Sequence, residues 1–146
     1  MSRAAVVSVQ AQGVRSPVAR ARLAAAGTLV LKAQKASAAL LSITLLDRKG
    51  IAAMNRRHLG HAGATDVISF GFRDPGGAVI GDVYICPEVA AVNAKRHGVP
   101  VREELLRLVV HGTLHVLGHD HPDGEARTRS PMWRTQERLL ARVLRA

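Results

Sequence analysis

Cysteine, aromatic residues and acidic residues are scarce in this sequence, and each scarcity excludes a class of protein or site. Cys86 is the only cysteine, which excludes an intramolecular disulfide and a thiolate metal site. Aromatic residues make up 3% of the chain, so stacking of bases on aromatic rings cannot be a main mode of binding. No apolar run approaches the roughly 18 residues of a transmembrane helix. The N-terminus lacks the apolar run and cleavage site of a signal peptide, and a cytoplasmic location is therefore expected.

The charged residues that are present are mostly basic. The chain has 21 lysines and arginines against 11 aspartates and glutamates, which gives a formal net charge of +10. A small basic protein is attracted to polyanions, so the composition favours nucleic acid as a partner. The alternative is a surface on which arginine serves only for solubility. Hydrophobic residues make up 47% of the chain, which predicts a globular fold with an aliphatic core.

Apolar spacing, capping residues and glycines predict mixed strands and helices in one domain that spans residues 1–146. Strands are predicted at residues 4–10, 39–46, 65–70 and 79–86, and helices at 17–35, 47–57, 88–96, 102–118 and from 131 towards 146. A serine followed by a proline predicts two helix starts, at Ser16 and Ser130. Glycines at positions 60, 98 and 118 are expected to end helices.

The segment HGTLHVLGHDH, residues 111–121, contains four of the seven histidines of the chain. His111 and His115 are four residues apart on a predicted helix, so both imidazoles project from the same face. Gly118 allows a left-handed turn, after which His121 can approach the other two. Three imidazoles and one open position are typical of a catalytic zinc site. Core histidines bonded to the backbone are the alternative, but three histidines at ligand spacing favour a metal.

The same histidine spacing occurs in the metzincin proteases, where a glutamate after the first histidine is the general base. Gly112 occupies that position here and supplies no carboxylate. Metal-assisted cleavage of a phosphodiester depends more on charge stabilisation, and the basic chain would attract such a substrate. The sequence therefore favours phosphodiester hydrolysis over proteolysis.

The segment contains two further polar residues, Asp120 and His119, outside the proposed ligand set. Asp120 lies between two histidines and is a candidate catalytic residue, either orienting an imidazole or assisting proton transfer. An exposed carboxylate that caps the turn is the alternative for this position. His119 is expected to point away from the three-histidine site.

With this segment in view, the sequence resembles the YbeY family of single-strand-specific endoribonucleases, which take part in rRNA maturation. Three further segments are similar to the family: MNRRHLGHAGATDVISF, IGDVYICPEV and EARTRSPMWRTQERLL. The matching motifs span residues 45–140, whereas the first 40 residues match only in layout.

The resemblance implies an α+β fold, with a small, mostly four-stranded mixed sheet, surrounding helices and a cleft that opens on a metal. It implies one zinc ion, or another divalent transition metal, on His111, His115 and His121. It also implies cleavage near the 3′ end of 16S rRNA, a role in ribosome quality control, and the small ribosomal subunit as a partner. Neither a membrane nor DNA is expected as a partner.

One departure from the family concerns substrate binding. Many members have an arginine immediately before the glycine that matches Gly60, whereas this chain has Leu59. Arg56 and Arg57 lie about one helical turn earlier, and His61 follows the glycine; these three are candidate substrate-binding residues. A solvated basic helix end is the alternative.

Two other functions remain open at this point. One is a ribosome-assembly factor with a structural metal, although structural zinc normally has four protein ligands and no fourth ligand is obvious. The other is a metalloprotease that lacks the usual glutamate base. The bond that is cut, the choice between water and the ribose 2′-hydroxyl as nucleophile, the physiological metal and the oligomeric state are also open.

Overall fold

The computed structural model describes residues 5–36 and 38–146 and contains a four-stranded sheet. The strands are β1 Ala5–Gln12, β2 Ala39–Leu46, β3 Val67–Arg73 and β4 Val79–Ile85. The helices are α1 Arg20–Ala33, α2 Arg48–Met54, α3 Pro87–His97, α4 Val101–Val116 and α5 Pro131–Arg145, with a π-helical turn at Asn55–Leu59 and a 3₁₀ helix at Gly124–Arg129. The strand order is β1-β2-β4-β3. β1, β2 and β4 run parallel and β3 is antiparallel to β4, which confirms the predicted mixed sheet in an α+β fold.

The main core lies between one face of the sheet and the helices α1, α3, α4 and α5, and a smaller cluster around α2 contains Leu46, Ile51, Ile68 and Cys86. The main core is aliphatic, as the composition predicts, and α4 contributes the largest share of it: ten of the 16 residues of α4 are buried. α4 packs against the sheet on one side and against α1, α3 and α5 on the others. Within the described residues, none of the helices combines the length and hydrophobicity that a membrane span requires.

Three glycines allow α4 to approach the sheet closely. A Cβ atom at Gly81 would lie 2.3 Å from Val116 Cγ1, and one at Gly71 would lie 2.7 Å from the Val116 carbonyl oxygen. A Cβ at Gly112 would lie 2.6 Å from Val83 Cγ1. These distances are shorter than van der Waals contact, so the glycines determine how deep α4 sits on the sheet.

The start of α1 differs from the prediction. The helix begins at Arg20 rather than at residue 17, and the serine-proline pair is not its cap. The Ser16 hydroxyl instead bonds to the backbone of Val18, so it stabilises the preceding turn. Gly27, in the middle of the helix, lies close to the sheet: a Cβ at this position would be 3.2 Å from Leu41 Cδ2 of β2.

Three other predicted helix boundaries agree with the structure, whereas those of β3 differ. The Ser130 hydroxyl accepts a hydrogen bond from the Trp133 N–H at 3.2 Å, as expected of the cap of α5. Gly60 and Gly98 end helical segments in left-handed conformations, with φ of +68° and +69°. β3 covers Val67–Arg73 rather than residues 65–70, because its pairing with β4 continues to the hairpin turn. Residue 4, the first of the predicted strand 4–10, lies outside the described residues.

Candidate metal centre

Three histidines converge at the C-terminal end of α4. The ring centroids of His111 and His115 are 4.6 Å apart, as expected for neighbours one helical turn apart on the same face. The ring of His121 lies 5.2 Å from the first and 4.9 Å from the second. One nitrogen from each ring can be chosen so that all three lie within 4.8 Å of one another. The structure therefore brings together the three histidines that the sequence proposes as metal ligands.

The turn after α4 determines where His121 lies. Gly118 has a φ of +99°, a left-handed conformation that side chains rarely adopt. Its N–H donates to the His115 carbonyl at 2.9 Å, and the His119 N–H donates to the Leu114 carbonyl at 3.0 Å. This pair of bonds is the Schellman motif, which ends a helix and reverses the chain. The predicted glycine stop is confirmed, and it is the device that returns the chain towards the α4 histidines.

Hydrogen bonds to carbonyl oxygens orient two of the rings. His111 Nδ1 lies 2.7 Å from Gln136 Oε1, and His121 Nδ1 lies 3.0 Å from the Pro122 carbonyl oxygen. The Gln136 amide nitrogen donates to Glu137 Oε2, so its oxygen faces His111. Because a carbonyl oxygen can only accept, each Nδ1 carries the proton. The Nε2 lone pairs are then free to bind a metal.

The surroundings keep the two α4 imidazoles neutral. Burial lowers the pKa of His111 to about 4, against the hydrogen bond that His111 donates to Gln136, which acts to raise it. Burial also lowers the pKa of His115, and the charge of His121 lowers it further. Neutral imidazole is the form that binds a metal, because protonation occupies the lone pair.

The fourth histidine of the segment has a different environment. His119 Nε2 lies 2.8 Å from Oε1 of Gln34, the residue that follows α1, so this ring points away from the other three as predicted. The exposed Asp120 accepts a hydrogen bond from the His121 N–H at 2.9 Å. This contact is local to the loop, and a role for Asp120 in proton transfer stays a prediction.

Gly112 is explained by packing. The side chains of Val83 and Gly112 would collide if position 112 carried a Cβ, since Val83 Cγ1 and Cγ2 would lie 2.6 Å and 3.1 Å away. A glutamate therefore has no space at the position where metzincins carry their general base. The sequence showed that the base is absent, and the structure shows the steric reason.

The histidines open into a cavity of about 730 Å³. Its wall includes residues from β3, α3, α4, the 3₁₀ helix and α5. Its two arginines differ: Arg107 is held by three glutamates, while the Arg127 guanidinium lies 5.9 Å from the Trp133 ring centroid and forms no ion pair within the described residues. Arg127 is the cation that this cavity can offer to an anionic substrate.

The predicted substrate-binding residues do not line this cavity. Arg56 and Arg57 are exposed on the π-helical turn, and His61 is exposed just after it. Leu59, from the same turn, does line the cavity and is 48% exposed. A role for the three basic residues in RNA contact therefore stays a prediction, and concerns a surface outside the cavity.

Sequence reasoning missed Gln136. This residue is 2% exposed and lies on the face of α5 that otherwise buries Met132, Leu139, Leu140 and Val143. A polar side chain at a position with apolar periodicity is a usable signal, because buried amides need partners. The signal identifies a buried hydrogen bond, but the partner, His111, is 25 residues away in the sequence.

Comparison with known proteins gives consistent matches. A family model described as Endoribonuclease YbeY matches residues 9–144. The Endoribonuclease YbeY of Frankia alni is 38% identical over 135 residues, covering 82% of this chain and 72% of the relative. That of Bdellovibrio bacteriovorus is 41% identical over 97 residues, covering 66% of this chain and 63% of the relative.

A solved structure supports the fold. The solution structure of a Thermotoga maritima protein superposes with a TM-score of 0.65 at 22% identity, covering 94% of this chain and 89% of that one. At this identity the match concerns the fold alone. The family model and the curated relatives, which extend over most of the sequence, show more: this chain belongs to the Endoribonuclease YbeY family.

Proposed function

We propose that this chain, residues 1–146 as one domain, is a metal-dependent endoribonuclease that hydrolyses phosphodiester bonds in single-stranded RNA. The proposed substrate is the 3′ region of 16S rRNA in the small ribosomal subunit, with a role in ribosome quality control. The observation that carries the proposal is the cluster of His111, His115 and His121 in a cavity that also contains Arg127. The proposed location is the cytoplasm, where the lone Cys86 would stay reduced.

The donor set fits a catalytic metal better than a structural one. The candidate group found among the described residues has three members, all histidines, whereas structural zinc normally has four protein ligands. Orientation by Gln136 and the Pro122 carbonyl presents neutral Nε2 donors, which suit zinc and also other divalent transition metals. A bound metal would act as a Lewis acid on the phosphodiester and on the nucleophile. This arrangement argues against a metal that only holds the turn.

The remaining residues would bind and orient the substrate. Arg127 offers a guanidinium, which can donate two parallel hydrogen bonds to a phosphate. Asp120 is close enough to the histidines to affect the pKa of His115 and remains the candidate for proton transfer. Arg56, Arg57 and His61 would contact RNA beyond the cavity.

The proposal is tested by cleavage of small-subunit rRNA extended at its 3′ end. We expect the purified protein to cleave this RNA, and a chelator or His115→Ala to reduce cleavage to background, because two remaining imidazoles hold a metal poorly. His119→Ala is the matched control: it removes a histidine of the same segment that is bonded to Gln34 instead. It should retain metal and activity.

Two results would contradict the proposal. One is cleavage that survives both chelation and His115→Ala, which would identify a contaminating nuclease. The other is the absence of RNA cleavage by stringently purified protein with any divalent metal, which would favour an assembly factor. Chelator-sensitive hydrolysis of casein would instead support a protease, although Gly112 leaves no space for the glutamate base that metzincins carry at this position.

A further inference from the structure

The outer face of α5 carries a stripe of arginines. Arg134, Arg138 and Arg142 follow one another at intervals of four residues, Arg145 comes three residues later, and all four are exposed. Residues at these intervals lie on one side of a helix. With a rise of about 1.5 Å per residue, the stripe extends for about 16 Å along the axis.

Acidic side chains do not neutralise this stripe. The only acidic residue of α5 is Glu137, and its carboxylate is bound to Arg107. In the described part of the chain, none of the four stripe arginines forms an ion pair. Solvated helix faces usually mix charges of both signs, so an unmixed stripe is unusual for a purely solubilising surface.

The stripe also disfavours the helix itself. Like charges four residues apart destabilise a helix by about 0.2–0.5 kcal/mol per pair. Arg134 lies near the first turn, where the helix dipole favours anions over cations. A polyanion that binds along the stripe would offset both penalties by neutralising these charges.

The stripe begins at the cavity. Trp133 and Gln136 line the cavity, while Arg134 donates a hydrogen bond to the Arg129 carbonyl at 3.0 Å on the preceding 3₁₀ helix. Arg127, from the same 3₁₀ helix, lies in the cavity wall. A strand that leaves the cavity past Arg127 would therefore meet the stripe next.

We propose that the arginine stripe of α5 binds the phosphate backbone of a single-stranded RNA whose scissile bond lies in the cavity. This inference rests on the proposed function and adds the path of the strand. Guanidinium groups bind phosphates with two parallel hydrogen bonds, and backbone contacts of this kind require no particular base sequence. A membrane surface is disfavoured because the large apolar residues of α5 face the core: Met132, Leu139, Leu140 and Val143 are all buried.

The test compares two triple variants of the full chain with equal loss of charge. Arg138→Gln/Arg142→Gln/Arg145→Gln removes most of the stripe and keeps the Arg134 contact and the helix propensity. Lys32→Gln/Lys49→Gln/Arg73→Gln removes three exposed cations from α1, α2 and β3. Binding of a fluorescent single-stranded RNA of about 10 nucleotides is measured by anisotropy over a series of salt concentrations.

We expect the stripe variant to bind this RNA about 50-fold more weakly at 0.15 M salt, as counterion release at three phosphate contacts implies. The slope of log K against log salt should fall in magnitude by about 2. The control variant should stay within about threefold of the wild type, since surface charges remote from the strand are screened. Both variants should cleave an RNA of about four nucleotides, which remains within the cavity, at the wild-type rate.

Two outcomes would contradict the proposed role of the stripe, and a third would separate it from the proposed function. Equal weakening of RNA binding in the two variants would contradict the proposed role of the stripe, because the loss of net charge alone would explain the weaker binding. If the stripe variant bound RNA as well as the wild type but bound phosphatidylserine vesicles more weakly, the stripe would be a membrane-binding surface and the proposal would be wrong. Wild-type protein that binds RNA through the stripe and cleaves none would support the stripe and contradict the proposed function.

Discussion

Arg107 lies between α4 and α5, whereas the arginines of the stripe lie on the exposed face of α5, and the two have opposite environments. The Arg107 guanidinium, between α4 and α5, lies 3.0–3.2 Å from carboxylate oxygens of Glu103, Glu104 and Glu137. Burial acts to lower its pKa, but hydrogen bonds and the charge of Glu137 outweigh burial and raise it further above its usual range. Arg138, on the outer face, forms no such contact within the described residues.

The contrast shows that neighbouring carboxylates determine whether the guanidinium N–H donors of an arginine are available to a ligand. Where they surround the guanidinium, as at Arg107, four of its five N–H donors are bound to carboxylates and it links α4 to α5. Where they are absent, the donors stay available to a ligand from solution. Gln136 resembles Arg107 in this respect, because its side-chain oxygen already accepts a hydrogen bond from His111 and is not available to a ligand from solution.

The largest expected effect comes from making the same substitution on the two faces. Arg107→Gln should lower the free energy of unfolding by about 3 kcal/mol, because three carboxylates lose a partner and that of Glu104 is nearly buried. Arg138→Gln should change it by less than about 0.5 kcal/mol. Urea unfolding of the two variants measures both values. Equal effects would show that the contrast between the faces has no energetic basis.

Gly112→Ala tests how tightly the inner face is packed. Alanine favours a helix by about 1 kcal/mol over glycine. The new Cβ would lie 2.6 Å from Val83 Cγ1, however, and we expect a net loss of about 2 kcal/mol in the free energy of unfolding. Val83→Ala in the same chain should recover part of this loss, since it removes the colliding methyl groups. A Gly112→Ala variant as stable as the wild type in urea would show that α4 can move away from the sheet.

Gln136→Met tests the support of His111. Loss of the Oε1 acceptor leaves Nδ1 unpartnered and the ring less well oriented, so zinc affinity should fall about tenfold or more. Gln34→Met is the matched control, because Gln34 supports His119, which lies outside the three-histidine cluster. Competition with a chromophoric chelator measures the affinity of each variant. An equal loss of affinity in both would contradict a specific role for Gln136.

The smallest expected effect is a pH dependence of the metal-free chain. His111 has a pKa of about 4 when folded and an ordinary value near 6.5 when unfolded. Below about pH 6.5 the unfolded chain binds a proton that the folded chain does not, so stability falls as the pH falls towards 4. The loss from this residue at pH 5.5 is about 1 kcal/mol. Urea unfolding at pH 7.5 and 5.5 measures the loss: it should be smaller by this amount in His111→Gln, where the contribution of His115 remains, and unchanged in His61→Gln, which replaces an exposed histidine.

Local features of the site were predictable from the sequence. The four-residue spacing of His111 and His115 already places both rings on one helical face. Gly118 already predicts the helix end that returns His121 to them. The serine followed by a proline at Ser130 already predicts the cap of α5. In each case the contact forms within a few residues along the chain, so the pattern of residues contains the geometry.

The predicted start of α1 failed because a local signal competed with another local partner. Ser16 resembles a cap, but its hydroxyl is bonded to Val18, and α1 begins later at Arg20. Arg56 and Arg57, the nearest cations to the expected position of the family arginine, lie on an exposed turn away from the cavity lining, and their role in RNA contact stays a prediction. The position of Leu59 in the cavity wall follows from the path of the whole segment over the fold.

The sequence alone determined the three-histidine motif, the turn that closes it and the lack of a glutamate at position 112, because each depends on neighbours in the chain. Only the tertiary structure decided which side chains support that motif. Gln136 is 25 residues from His111, Glu137 is 30 from Arg107, and Gln34 is 85 from His119. Contacts over such separations depend on how helices pack on the sheet, and local periodicity carries no information about which distant residue will fill a given position.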